Sequence, residues 1–307
     1  MEPATNARFE PRYDIPTPML YLSNFVASNM LVSILHLYRL IRILHRRESA
    51  RVELKSKLLD QARLLAAEMC IIPSPTLAQA VASTGVDLII IDREHAATNN
   101  ETLHAMIMAT QGTDCAAMVR VIDHNPANVK LALDMGAEGI MFPLVRTADE
   151  AAACVASMRY PPKGIRGWGA FVAHSRWGVP PMDYLPTFGD KTVCCLLIET
   201  SEAVQNIDAI FAVDGVDMAF VAPFDLSTSL GVSGQFDHPD FLEAVGKIEA
   251  AAMAAKIPLG GGPANTEAEV DTLCSRGYRV FGGFDVFQIK RAVGELVEFV
   301  KARSRVT

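Results

Sequence analysis

"LIIIDREHA", residues 88–96, runs four apolar residues into Asp92, Arg93, Glu94 and His95 before returning to Ala96. A continuous run of Leu and Ile reads as a strand covered on both faces, as in parallel sheets. Such a strand, ending in three charges and an imidazole side by side, is either an ordinary surface turn or one wall of an active site. The architecture implied by the flanking sequence decides between the two.

From residue 69 onward, apolar or β-branched runs alternate with amphipathic stretches, the signature of βα units around a parallel sheet. The strands predicted are MCIIP (69–73), DLIIID (87–92), AAMVRV (116–121), GIMFPLV (139–145), VCCLLIET (193–200), DMAFVAP (217–223), PLGGG (258–262) and RVFGGFDV (279–286). Helices between them have recognisable ends: Asn99, Asn125-Pro126, Thr147 and Thr266 at starts, Gly136 and Gly277 at stops. Eight repeats is the closure number of a (β/α)8 TIM barrel, an α/β fold. The competing open doubly wound sheet lacks its glycine fingerprint, since no GxGxxG follows the first strand.

A barrel of this kind carries its chemistry at the C-terminal ends of the strands. Strand two delivers Asp92, Arg93, Glu94 and His95 to that rim, strand three Arg120, strand five Glu199, and the loop after strand six Asp225. Each also has a plainer reading. Glu199 precedes Thr200-Ser201, good caps for the next helix, and alone it would fit a helix start. Arg120 lies among apolar neighbours, and an arginine rarely enters a barrel without an anionic partner. His95 fits a surface turn, but Asp92 three residues earlier offers a carboxylate for one ring nitrogen. The other six histidines lack such companions and are read as structural or solvent-exposed.

Bulk properties set the outer limits. With 307 residues, half of them hydrophobic, the chain divides into an extension (1–50) and one barrel-sized domain (51–307). A net charge of −7 gives no field for a phosphate backbone, so nucleic acid is not an expected partner. Six cysteines without a CxxC pair read as reduced thiols of an intracellular, cytoplasmic protein. Met19 to Tyr38 carries no Asp, Glu, Lys or Arg and ends against Arg39, Arg42, Arg46 and Arg47. Its length approaches the ~20 residues of a spanning helix, but Ser23, Asn24, Ser28, Asn29 and Ser33 interrupt it. Leu31, Ile34, Leu35, Tyr38, Ile41 and Leu44 fall at helical spacing, the pattern of an amphipathic helix on the barrel, on a neighbouring subunit or on a membrane surface. Membrane contact through residues 19–47 therefore stays open. Glu2, Glu10 and Asp14 argue against a mitochondrial presequence.

Over residues 55 to 303 the sequence resembles the HpcH/HpaI aldolases, metal-dependent class II pyruvate aldolases, and more distantly macrophomate synthase. The motifs that carry the resemblance are "IPSPTLAQA", "IDREHA", "VRV", "LALDMGAEGIMFPLV", "RYPPKGIRGWG", "SRW", "LLIETSEAVQNID" and "APFDLSTSLG", in order along the barrel, with "GGFDVFQIKRA" near the end. The resemblance implies that Glu199 and Asp225 hold a divalent cation, Mg²⁺ or Mn²⁺ or alternatively Co²⁺, with positions left for water and a 2-oxo acid. It gives Arg120 the developing oxyanion, His95 acid/base work through water, and Asp92 the orientation of His95. It also implies homo-oligomers, commonly hexamers, in which the last helix crosses to a neighbour. The expected reaction cleaves or forms 4-hydroxy-2-oxo acids from a 2-oxo acid and an aldehyde, with decarboxylation of oxaloacetate beside it.

Main-chain amides from Ala222 to Leu226 are candidates for the anionic head of the 2-oxo acid. The long 162–190 segment reads as a partly mobile cover over the acceptor, with Arg166 and Trp168 either facing substrate or packing. Three positions depart from the family pattern: Leu197 stands where many relatives have Gln, Phe224 replaces a small residue before the metal-binding Asp, and Ala222-Pro223 replaces Gly-Pro. Three rival readings remain: a lysine Schiff-base aldolase, a citrate-lyase-like acyl-CoA lyase, and a non-catalytic barrel serving as a membrane-linked scaffold. The first needs a strand-end lysine, yet Lys130, Lys163, Lys247, Lys256 and Lys290 all fall in helices or loops.

Overall fold

The computed structural model describes residues 53–304, so the expectations for the extension, including an amphipathic or membrane-bound helix within 19–47, lie outside the described residues. Eight parallel strands close in sequence order: β1 (Leu65–Cys70), β2 (Leu88–Asp92), β3 (Ala116–Arg120), β4 (Gly139–Phe142), β5 (Val193–Ile198), β6 (Met218–Val221), β7 (Leu259–Gly261) and β8 (Tyr278–Phe284). The β2–β3 register sets Asp92 beside Arg120 at the C-terminal end of the barrel. The first strand begins at Leu65, earlier than the predicted 69–73, because Glu68 breaks the apolar run. That carboxylate is nonetheless buried, and it accepts a hydrogen bond from Gln288 Nε2 at 2.8 Å.

The helices are α1 (Leu54–Leu59), α2 (Pro75–Ala82), α3 (Asn100–Met108), α4 (Pro126–Asp134), α5 (Ala148–Met158), α6 (Ala173–Arg176) and α7 (Pro181–Phe188). They continue with α8 (Ser201–Gln205), α9 (Ile207–Phe211), α10 (Pro223–Ser229), α11 (Pro239–Ala255), α12 (Glu267–Ser275) and α13 (Asp285–Ser304). The polar residues read as helix starts do cap: Asn99 accepts from Thr102 N, Asn125 from Ala127 N, Thr147 from Glu150 N, and Thr266 forms a capping box with Glu269. Each such cap stabilises its helix by about 1 kcal/mol.

Strand alternation sorts the core into two layers. Leu65, Leu88, Ile90, Met118, Cys195 and Val280 point into the lumen, while Ile89, Ile91, Val119, Ile140 and Leu196 pack outward against the helices. Leu54 and Leu58 of α1 join the lumen cluster. Lys57 on the same helix is buried on Asp87 Oδ1 at 3.1 Å and the Asp114 carbonyl at 2.6 Å, so this lysine braces the N-terminal end of β2 and β3.

The 162–190 segment is not a cover over the rim. It links α5 to β5, and a connection that precedes a strand emerges at the N-terminal end of the barrel, opposite the chemistry. There it forms its own small core of Tyr160, Ala170, Ala173, Tyr184 and Phe188. Arg176 anchors it, donating to the Ile107 carbonyl and the Thr110 hydroxyl.

The terminal helix α13 leaves the barrel after the buried Asp285 and presents Phe287, Val293, Leu296, Phe299 and Val300 to solvent. A groove of about 820 Å³ runs over the outer face of β1 and β8, where Leu77, Val81, Val270 and Phe281 line it. Among the described residues, no helix is long and apolar enough to cross a membrane. All six cysteines are free thiols, five of them buried.

Candidate active site

The opening stretch turns at Asp92, whose side chain is fully buried. Its Oδ1 accepts from Arg120 Nε at 2.8 Å and from the Glu94 amide at 2.9 Å, and its Oδ2 accepts from the His95 amide at 3.3 Å. One carboxylate thus ends the strand, holds the turn and fixes the arginine. Asp92 grips the main chain of His95 and not its imidazole, because the turn wraps round the carboxylate and carries the ring outward. The ring instead has Nε2 at 3.6 Å from Glu94 Oε2, with the histidine side chain 64% exposed. The expected Asp92–His95 ring pair is therefore replaced by Glu94–His95.

Glu94 has a place at the rim in the sequence reading but no role there, yet it is the group that ties the rim together. Its Oε2 lies 3.4 Å from Arg120 Nη1 and is buried without a hydrogen bond. Burial raises its pKa, with the Arg120 and His95 charges opposing. Burial also works against the Arg120 charge, but the hydrogen bond to Asp92 and the fields of Asp92, Glu94 and Glu199 outweigh it and raise the guanidinium's pKa.

Glu199 follows β5 and is almost fully buried. Its Oε1 accepts from the Leu144 amide at 2.5 Å, and Leu144 holds a left-handed backbone (φ 54°) to present that N–H. Burial pushes the Glu199 carboxyl up to about 7; the Leu144 bond and Arg120 pull it back, while Asp225 and Glu94 push it further. Asp225, in the first turn of α10, is exposed.

This donor set fits a divalent cation. Hard carboxylate oxygens converge electrostatically at Glu199, where burial and neighbouring carboxylates oppose ionisation, and a cation would relieve both. Among the described residues, no group of three or more His, Cys, Asp or Glu is placed to hold a metal unaided. Two carboxylates leave the other positions to water and substrate.

A cavity of about 330 Å³ opens at this rim, lined by His95, Arg120, Leu197, Ala222, Phe224 and Asp225 among others. Leu226 is not part of it: its side chain is buried in the outer core and its amide donates to the Ala222 carbonyl. Pro223 has no N–H, so the first-turn amides of Phe224 and Asp225 are those left without a helical acceptor.

Arg166 and Trp168 are also absent from the site. Arg166 is buried, paired with Asp134 at 2.7 Å and stacked over the Tyr160 ring at 4.6 Å. Trp168 meets Phe171 edge-to-face at 4.9 Å. Both belong to the connection at the opposite end, where an arginine and aromatics act as packing.

Similarity to known proteins points the same way. The chain is 36% identical over 226 residues to a hydroxypyruvate/pyruvate aldolase of Chromohalobacter salexigens, covering 73% of this chain and 88% of that one. It is 38% identical over 191 residues to a 4-hydroxy-2-oxo-heptane-1,7-dioate aldolase of Salmonella paratyphi C, covering 61% and 72%. Its fold superposes on macrophomate synthase with a TM-score of 0.74 at 28% identity, covering 82% and 90%. The model of the HpcH/HpaI aldolase/citrate lyase family matches residues 71–292, nearly the whole barrel with its rim, and the chain belongs to that family.

Proposed function

We propose that this protein is a carbon–carbon lyase, a metal-dependent class II aldolase that cleaves or forms 4-hydroxy-2-oxo acids through the enolate of pyruvate or a related 2-oxo acid. The observation that carries the reading is the buried Asp92–Arg120 pair, set by the β2–β3 register, with Arg120 lining a rim cavity and lying in the field of Glu199. Both named relatives are aldolases of 2-oxo acids, which supports the same chemistry.

Glu199 and Asp225 would hold the cation, Mg²⁺, Mn²⁺ or Co²⁺. When bound, it supplies Lewis acidity to the carboxylate and keto oxygens of the substrate. Arg120, with Nε fixed by Asp92 and Nη1 facing Glu94, offers its remaining guanidinium N–H groups to the oxygen at C2, where negative charge grows as the C3–C4 bond breaks. His95, exposed at the mouth and facing Glu94, takes the C4 hydroxyl proton through water as that bond breaks. The same group returns a proton to C3. Leu197 and Phe224 present apolar surface beside the reacting carbons. Loss of CO₂ from oxaloacetate yields the same enolate and needs no hydroxyl proton removed.

The lysine alternative lacks its nucleophile, since no lysine lines the rim cavity among the described residues. A homo-oligomer suits α13, whose exposed Val293, Leu296, Phe299 and Val300 would seat in the β1–β8 groove of a second copy. A cytoplasmic location suits the five buried free thiols.

Purified protein assayed against 4-hydroxy-2-oxo acids tests the reading. Release of a 2-oxo acid that stops with EDTA and returns with Mg²⁺ or Mn²⁺ is expected. Turnover that ignores EDTA but is trapped by borohydride would overturn it.

A further inference from the structure

The rim cavity has two chemically different halves. Its charged lining, His95, Arg120 and Asp225, comes from the β2, β3 and β6 ends. The half formed by β6, β7, β8 and β1 is apolar: Ile71, Phe220 and Phe284 line it, and Phe224 and Phe287 stand at its mouth. Room exists there because β8 contributes Gly282 at a lumen-facing position, where a larger side chain would otherwise extend into the chamber between Phe220 and Ala67. A Cβ on Gly282 would meet the Phe220 ring and the Ala67 carbonyl oxygen at 3.6 Å, ordinary contact, so even one methyl group would take up chamber space without displacing the barrel.

The two mouth phenylalanines are each about half exposed. Each is held edge-on by a second ring, Phe224 by Phe236 at 5.2 Å and Phe287 by Phe284 at 5.5 Å. Rings fixed this way around an open apolar chamber offer faces and edges for another ring. The cations in the lining are committed: Arg120 to Asp92 and Glu94, and the His95 ring to Glu94. A carboxylate at the far end of an acceptor would lie among phenylalanines with, among the described residues, no uncommitted cation in the lining beside it, an unfavourable burial. At about 330 Å³ the cavity sits at the lower end of the roughly 300–1,000 Å³ range of small-molecule sites, enough for a short 2-oxo acid and one ring.

From this division we infer that the acceptor is an apolar, uncharged aldehyde, with an aromatic aldehyde the best fit, and that the substrate class is the 4-aryl-4-hydroxy-2-oxobutanoates. The inference rests on the aldolase reading above. In the synthetic direction, C3 of the 2-oxo acid loses a proton to the base and bonds to the aldehyde carbon, and the carbonyl oxygen takes up a proton as the C4 hydroxyl. No oxidant or reductant is consumed. The relative named for a 4-hydroxy-2-oxo-heptane-1,7-dioate would release an aldehyde with a second carboxylate, and among the described residues the apolar half of the chamber offers no partner for that group.

The test uses the full chain with saturating Mn²⁺ and pyruvate, and compares kcat/KM for benzaldehyde with that for succinic semialdehyde. Deuterium exchange at pyruvate C3 is followed in parallel. Exchange with benzaldehyde preferred by at least about tenfold is expected, the discrimination one mismatched group can bring. Phe287→Arg places a cation at the mouth and should bring that ratio down by about tenfold; Gly282→Ala, which adds only a methyl group, should lower benzaldehyde use more than use of acetaldehyde. Exchange in the wild-type protein with succinic semialdehyde equal or better, or ratios unmoved by both substitutions, overturns this inference alone. No exchange at all overturns the aldolase reading and this inference with it.

Discussion

Arg120 and Asp92 are cross-strand neighbours on β3 and β2, joined by a 2.8 Å Nε–Oδ1 hydrogen bond and both nearly sealed from solvent. Because Asp92 also accepts the amides of Glu94 and His95, the arginine and the histidine turn are positioned by a single carboxylate. Asp92→Asn removes the charge opposite a buried guanidinium, an expected loss of about 2–4 kcal/mol in stability. It should also depress aldol cleavage and C3 proton exchange together. Urea denaturation and both assays on one preparation check this; loss of cleavage alone would assign Asp92 to the histidine and not to the arginine.

His95 stands in contrast as an exposed residue. His95→Ala should change stability by less than about 0.5 kcal/mol. It should lower retro-aldol turnover by about 10²-fold, the scale of a general base, while oxaloacetate decarboxylation retains most of its rate. Equal loss of both reactions would mean that the imidazole orders the rim and does not carry the proton.

Arg166 gives the opposite expectation. Buried on Asp134 and two tyrosine rings at the far end, it braces the 162–190 segment. Arg166→Ala should cost about 2–4 kcal/mol and leave KM for the 2-oxo acid unchanged in the folded fraction. A raised KM with unchanged melting would return it to the substrate.

Glu68 supplies a pH prediction. Burial, with Asp285 adding, raises its carboxyl from 4.5 to about 7. A folded state that holds this proton more tightly is favoured at low pH and loses stability as pH rises from about 4.5 to about 7, where the unfolded chain has already ionised. The loss is on the order of 1–3 kcal/mol. Glu68→Gln should flatten it, so the variant gains on wild type between pH 5 and pH 8 in urea midpoints; parallel midpoints for the two proteins would contradict this.

The barrel was legible because its strands are nearly pure apolar runs and its helices begin on side chains that cap. The miss at β1 came from Glu68, a charge that hydrophobic periodicity reads as a break but that Gln288, 220 positions away, satisfies. Rim residues were legible from their place at strand ends, since topology alone delivers Asp92, Arg120 and Glu199 to one face. Side-chain direction was not. Whether Asp92 meets the ring or the amide of His95 depends on how the turn wraps, and spacing is the same in both cases. Arg166 misled because loop length says nothing of which end of the barrel a loop occupies, whereas its position before a strand does. The apolar chamber was hidden for a further reason: it depends on the side chain that Gly282 lacks as much as on those that line it.

In the proposed chemistry Glu199 and Asp225 hold a cation that, with Arg120, makes a 2-oxo acid acidic at C3. Its most direct test is exchange of pyruvate methyl protons in D₂O, followed by NMR in metal-stripped protein, after Mn²⁺ or Mg²⁺ addition, and in Glu199→Gln. No exchange without metal, rapid exchange on adding it, and a fall of about 10²–10³-fold in the variant, the scale of losing a principal electrostatic contact, are expected. Exchange that persists in EDTA, or that survives in Glu199→Gln at the wild-type rate, would contradict it.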